Sequence, residues 1–206
     1  MRLGGVIVAA GCSSRMGAFK PLLPLDEMKT PILRQEVNLL LSQGVSHVLV
    51  VTGHRAKEVE RTLSGSPKTV RTVYNPNYRE DMFRSVQAGV AALPEGIDGF
   101  FFLPADCPAV EPATLERLAA AFETVCPPLC VPQYGGRRGH PPLISTELKG
   151  PLLAYDGEGG LKQFLRQYQA LEIPVDDPEI MRDMDTPEEY QALLSARQRR
   201  RCREHM

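Results

Sequence analysis

The stretch LGGVIVAAGCSSRMGAFK, from Leu3 to Lys20, restricts the fold of this chain more than any other segment. Val6-Ile7-Val8 is a β-branched apolar run that suits a strand buried on both faces. It breaks at Ala9-Ala10-Gly11 into a loop of small residues. A strand covered on both faces belongs inside a layered α/β sheet rather than at a wet edge. The loop then carries Arg15 and Lys20 on either side of Gly17. Backbone amides free of side-chain bulk and two positive charges can converge there on one polyphosphate.

The spacing Gly11-x-x-x-Arg15-x-Gly17-x-x-Lys20 lacks the Gly-Lys-Ser/Thr ending of a P-loop and the G-x-G-x-x-G of a dinucleotide fold. An ordinary βα turn with unrelated surface cations is the alternative to an anion cradle. Charge points to a small local ligand. With 24 Lys and Arg against 25 Asp and Glu the net charge is −1, so no overall field draws the chain to nucleic acid or an anionic membrane. No apolar run approaches bilayer length, and Met1 to Gly5 leads into the strand without a secretory h-region. The expectation is a soluble, cytoplasmic protein with neither a nucleic-acid nor a membrane partner.

Past Lys20, apolar strands alternate with amphipathic helices. Strands are expected at 48–51, 69–74, 100–103 and 129–132, and helices at 31–43, 56–63, 82–93 and 112–124, the first capped by Thr30 with Pro31 at its first position. This pattern predicts a single-domain, doubly wound α/β fold, a mostly parallel sheet with helices on both faces. Residues 135–144 read as a hairpin edge, residues 146–168 as two helical pieces and residues 171–175 as a late strand. Thr186-Pro-Glu-Glu189 reads as a capping box that launches a C-terminal helix. The domain is expected to span 1–195, with a basic tail at 196–206 that carries five arginines between Arg197 and Arg203. The five cysteines, odd in number and irregularly spaced, read as reduced thiols.

Ligands of such sheets bind at the carboxyl ends of the strands. The first loop and Pro104-Ala-Asp106 both lie at those ends, so Asp106 is expected beside Arg15 and Lys20. Magnesium takes one or two carboxylates plus substrate oxygens, which suits Asp106 on a turn bounded by Pro104 and Pro108, or an Asx-turn cap occupies the same carboxylate. Asp183 and Asp185 alternate with Arg182 and Met184 in what reads as an extended segment. Both carboxylates can then face one side, and one of them can supply a second metal ligand.

Ala9-Ala10-Gly11-x-x-x-Arg15-Met-Gly17-x-x-Lys20 resembles the signature loop of nucleotidyltransferases that move NMP from an NTP. The resemblance implies that the loop wraps the triphosphate, that Arg15 holds the β- and γ-phosphates and that Lys20 sits on the α-phosphate. Asp185-Thr-Pro-Glu-Glu-Tyr190 is similar to the segment with which such enzymes close their sites, which makes Asp185 the second metal ligand beside Asp106. Asn75-Pro-Asn-Tyr78 and Met82-x-x-Ser85-Val86-x-x-Gly89 resemble the segment that borders the nucleoside, Gly139-His140-Pro141 the turn on the acceptor side, and Gly157-Glu158-x-Gly160-x-Lys162 a further family motif.

Together these motifs resemble the molybdenum cofactor cytidylyltransferases from Val6 to about Leu194. The resemblance implies the nucleotide-diphospho-sugar-transferase variant of the Rossmann fold, Mg2+ as cofactor, CTP as donor, a phosphorylated pterin cofactor as acceptor and a molybdoenzyme client. Arg15, Lys20 and Asp106 become the catalytic set, and Ala9, Ala10, Gly11, Arg15, Gly17, Lys20 and Ser85 the nucleotide contacts. Asp81 stands where the family has Gly, which adds a carboxylate near the expected base pocket, and Ala10 is the feature that favours a pyrimidine. Guanylyl transfer, transfer to a sugar phosphate and a non-catalytic cofactor carrier are the competing readings.

Overall fold

The structure, a computed structural model, describes residues 1–26, 28–107 and 109–204, with side chains described through residue 197. β1 (Leu3–Ala9) is buried at every position. Val6 and Val8 pack on one side of the sheet and Ile7 on the other, so the β-branched run serves two cores at once. β2 (His47–Thr52), β3 (Val70–Tyr74) and β4 (Gly99–Pro104) extend the sheet in the order β3-β2-β1-β4, with every neighbour parallel. The connections fold as α1 (Ile32–Ser42), α2 (Ala56–Thr62), α3 (Met82–Ala91) and α4 (Pro112–Val125).

Leu33, Val37, Val59, Leu115 and Leu118, from α1, α2 and α4, cover the face that carries Ile7. Phe83, Val86 and Val90, from α3, cover the face that carries Val6 and Val8. α1 starts one residue later than the sequence predicts. Pro31 is its cap and Thr30 is not, because the Thr30 amide donates to Asp26 Oδ1 at 2.8 Å and its carbonyl accepts from Leu25 at 2.9 Å. The Pro-rich stretch is thereby closed into a small loop.

Beyond α4 the sheet changes character. β5 (Leu129–Tyr134) and β6 (Arg137–Arg138) form a hairpin that begins before the edge expected at 135–144. β7 (Leu143–Ser145), read from the sequence as part of a sheet edge, instead lies inside the sheet, antiparallel to both β4 and β5, with Leu143 and Ile144 fully buried. Three residues are too few to show a period, and the prolines before them read as a turn. α5 (Lys149–Ala154) and α6 (Gly160–Leu165) add Leu152 and Phe164 to the α3 side, and β8 (Leu171–Pro174) pairs parallel with β5. The eight strands among the described residues form one mixed, mostly parallel sheet with helices on both faces.

The segment expected to be extended at 181–185 begins as a 3-10 turn, Pro178–Met181. Asp177 caps that turn, accepting from the Glu179 amide at 3.0 Å. α7 (Pro187–Glu204) opens with the predicted capping box: Thr186 Oγ1 accepts from the Glu189 amide, and Glu189 Oε2 accepts from the Thr186 amide at 2.9 Å. The side chains of the arginine-rich tail beyond Arg197 lie outside the described residues, as does Pro108. Among the described residues no helix is long and apolar enough to cross a membrane.

Candidate active site

β1 and β4 are adjacent and parallel, so their carboxyl ends open side by side. The loop after β1 and the turn after β4 form the walls of a cleft of about 240 Å³, lined by Val8, Ala9, Gly11, Ser13, Ser14, Arg15, Lys20, Tyr78, Met82, Ser85, Asp106 and Asp185 among others. Residues from the start, middle and end of the chain thus meet at one place.

Lys20 occupies the floor. A 3-10 turn at Lys20–Leu22 buries its side chain to about a tenth of its full exposure, and its amide donates to Ser13 Oγ at 3.2 Å. The Lys20 ammonium lies 2.6 Å from Asp185 Oδ1 and 3.4 Å from Asp106 Oδ2. Arg15 reaches the other oxygen of Asp185 at 2.7 Å from a largely exposed position at the rim. Two carboxylates therefore converge on one point that already holds a cation, with a second cation paired to Asp185 from the exposed rim.

The two carboxyls respond differently to the same lysine. Burial raises Asp106 above the usual range, and the Asp183 and Asp185 charges add to that, so Lys20 only partly offsets the loss of water. For Asp185 the hydrogen bond from Lys20 is the larger influence and, with Arg15 behind it, holds the carboxyl below the usual range.

Ser85 is buried and lines the cleft from α3, its hydroxyl accepting from Asn75 Nδ2 at 2.9 Å. Ala9 and Gly11 line the cleft, whereas Gly17 sits in the same loop outside the lining. Ala10 is placed differently from the sequence expectation. It is buried within the apolar core on the α3 side and is not among the residues that line the cleft, and its carbonyl accepts from the His54 amide at 3.0 Å. Asp81 is an N-cap, accepting from the Phe83 amide at 3.0 Å.

Tyr78 and Met82, which belong to the segments expected to border the nucleoside, both line the cleft. Tyr78 packs directly on Gly53, where an added Cβ would collide with the ring. Gly139, His140 and Pro141 lie outside the cleft lining. They belong to a strap tied to β5 by Gly139 N–H to Pro132 O at 2.9 Å and to the Pro178–Met181 turn by His140 N–H to Ile180 O at 2.8 Å, with a cis His140–Pro141 bond. Gly139 faces the Ile180 carbonyl too closely for any side chain. The His140 ring is nonetheless within electrostatic reach of Asp183 and Asp106, and burial lowers its pKa.

The sequence pattern that defines the MobA-like NTP transferase domain matches residues 5–172, from β1 to β8. The chain belongs to that family. As a MobA-like NTP transferase it is a nucleotidyltransferase, and the cleft at the end of β1 and β4 is where the family signature loop lies. It is 28% identical over 186 residues to the molybdenum cofactor cytidylyltransferase of Escherichia coli K12, covering 90% of this chain and 92% of that one. The structure superposes on a nucleotidyl transferase from Methanothermobacter with a TM-score of 0.81 at 29% identity, covering 96% of this chain and 98% of that one. Rv0371c of Mycobacterium tuberculosis H37Rv gives a TM-score of 0.80 at 26% identity over 95% of this chain and 99% of its own. A crystal structure of that protein in complex with manganese superposes with a TM-score of 0.76 at 25% identity over 95% of this chain and 99% of its own.

Proposed function

We propose that this nucleotidyltransferase moves CMP from CTP onto the terminal phosphate of a molybdopterin-type cofactor and releases pyrophosphate. The observation that carries the reading is the Lys20 ammonium, buried at the cleft floor between Asp106 and Asp185 and beside the small-residue loop. The cytidylyltransferase relative, matched along nearly its whole length, supplies the choice of nucleotide and acceptor.

In-line attack on an α-phosphorus needs the phosphate charges neutralised and the leaving pyrophosphate held. Gly11 and the Ser13–Arg15 segment offer amides at the rim, where Arg15 can leave Asp185 and take the β- and γ-phosphates. Lys20 is anchored lower, so its charge falls at the reacting phosphate. The acceptor is a phosphate monoester whose second pKa is about 6, so it arrives ionised and no side chain has to remove a proton.

The two carboxylates fit magnesium, since they are hard oxygen donors aimed at a point that already accepts a cation. Asp106 and Asp185 would hold the ion, which supplies further neutralisation of the triphosphate when bound. Tyr78, Met82 and Ser85 border the side of the cleft left for the nucleoside.

The test is a pyrophosphate-release assay with each of the four NTPs, with and without the pterin cofactor. Cofactor-dependent release with CTP alone is expected. Equal release from CTP and GTP would remove the cytidylyl assignment, and release that needs a sugar phosphate instead would remove the acceptor.

A further inference from the structure

Asp106 has two oxygens, and the site above uses one of them. Oδ2 faces Lys20, while Oδ1 faces the other way, 3.8 Å from Cys107 Sγ. That sulfur also lies 3.7 Å from Asp183 Oδ1. A thiol has one proton and can give it to only one of these two oxygens. The ligand atoms of Asp106, Cys107 and Asp183 all lie within 4.8 Å of one another.

Two further groups point to a missing partner there. Glu36, on α1, is only 1% exposed, and neither of its carboxylate oxygens has a hydrogen-bond partner. It lies within electrostatic reach of both Asp106 and Cys107. His140 Nδ1 is likewise buried and unpartnered, on a ring within electrostatic reach of Asp106 and Asp183. Buried polar atoms are nearly always satisfied, so two orphans around one acidic cluster call for a cation.

We propose that Asp106, Cys107 and Asp183, with the buried Glu36 carboxyl within electrostatic reach, form a second cation site, on the side of Asp106 turned away from Lys20, which binds one divalent ion of the zinc class. The ligand set selects the ion, because sulfur among carboxylates suits a borderline metal better than magnesium. The spacing agrees. With Zn–S near 2.3 Å and Zn–O near 2.1 Å, a tetrahedral ion sets sulfur and oxygen about 3.6 Å apart, and the two Sγ to Oδ1 separations are 3.8 and 3.7 Å. Cys107 is buried and Asp183 is exposed, which gives the ion a path in from solvent and a closed inner side. Through Asp106 the ion would fix the carboxylate that the transfer cleft shares.

The site is tested without nucleotide, so the result stands apart from the transferase reading. The metal-free chain is titrated with Co2+ and followed by absorption, where a thiolate ligand gives a near-ultraviolet charge-transfer band. The expected result is one equivalent bound with that band, its displacement by Zn2+, and loss of the band in Cys107→Ser. Asp183→Asn, at an exposed position that does not endanger folding, should weaken Co2+ binding at least about tenfold, the smaller end of what even an outer contact costs. A titration without the band, a band that survives in Cys107→Ser and so belongs to another thiol, or unchanged affinity in Asp183→Asn would each overturn the proposal.

Discussion

The two ends of the sheet are built on different rules. From β3 to β4, four parallel strands are joined by helices, each connection closing a local unit. From β7 to β8, short strands pair in both directions and are held by side chains from distant segments. Asp177 shows how: it is buried, and its two oxygens accept from the Glu111 amide and Thr114 hydroxyl at 2.9 Å and from the Glu179 amide at 3.0 Å. The regular end supplies the floor of the cleft, and the irregular end supplies the carboxylate that completes it. Asp185 and Lys20 are 165 residues apart yet 2.6 Å from one another.

The strongest way to sharpen this contrast is to remove each half's contribution to the floor. Lys20→Ala should lower kcat about 10²- to 10³-fold with a much smaller change in KM for CTP, because its charge is matched to the reacting phosphate. Asp106→Asn and Asp185→Asn should each lower turnover and raise the magnesium requirement while the melting curve stays cooperative. If either carboxylate were only a structural cap, turnover would be kept and stability would fall by about 1 kcal/mol. A loss confined to KM in Lys20→Ala would end its role in the transfer step.

Next in size is the pin between the halves. Asp177→Ala leaves two amides and a hydroxyl without their acceptor, and should cost about 3 kcal/mol in chemical denaturation. Asp177 lies outside the cleft lining, so the folded fraction should keep its turnover. A variant that lost activity but no stability would mean that the irregular half acts on the chemistry through this residue.

How much was readable from sequence follows the same division. β1 to β4 and the helices between them announce themselves through periods that need only neighbours in the chain, and the small-residue loop with Arg15 and Lys20 falls where a parallel sheet must place it. β7 could not be read as interior because its three residues owe their burial to β4 and β5. Ala10 could not be read as core, because a one-carbon side chain does not say which way it points. Glu36 was missed because a glutamate at helical spacing reads as a solvated residue, although here it falls on the buried stripe of α1.

Glu36 also marks where the regular half breaks its own rule. Burial, with the Asp106 charge behind it, raises its pKa well above the ordinary 4.5, so it folds uncharged and ionises on unfolding. The stability that follows is fully present below the ordinary value and is lost as pH rises through the folded one. With a chelator present, Glu36→Gln should match the parent chain in melting temperature near pH 4 and melt progressively higher than the parent as pH rises, since Gln has no proton to lose. Parallel curves for the two proteins would show that the carboxyl finds a charged partner in solution.

The smallest effect concerns Asp81, where sequence and structure give different roles to one carboxylate. As a base reader it would accept from the cytosine amino group, and its removal would change the ratio of kcat/KM for CTP and GTP. In the structure its Oδ1 is spent on the Phe83 amide at the start of α3, and its side chain sits at an exposed position. Asp81→Ala should therefore cost about 1 kcal/mol of stability, the ordinary loss of an N-cap, and Asp81→Asn much less, since Asn caps nearly as well. Neither should change the CTP to GTP ratio beyond about twofold, because one well-made polar contact to a base would be worth far more than that. A stable Asp81→Ala that discriminated less would return the residue to the base pocket, and Tyr78 and Met82 would then cease to be the side chains to examine for nucleotide choice.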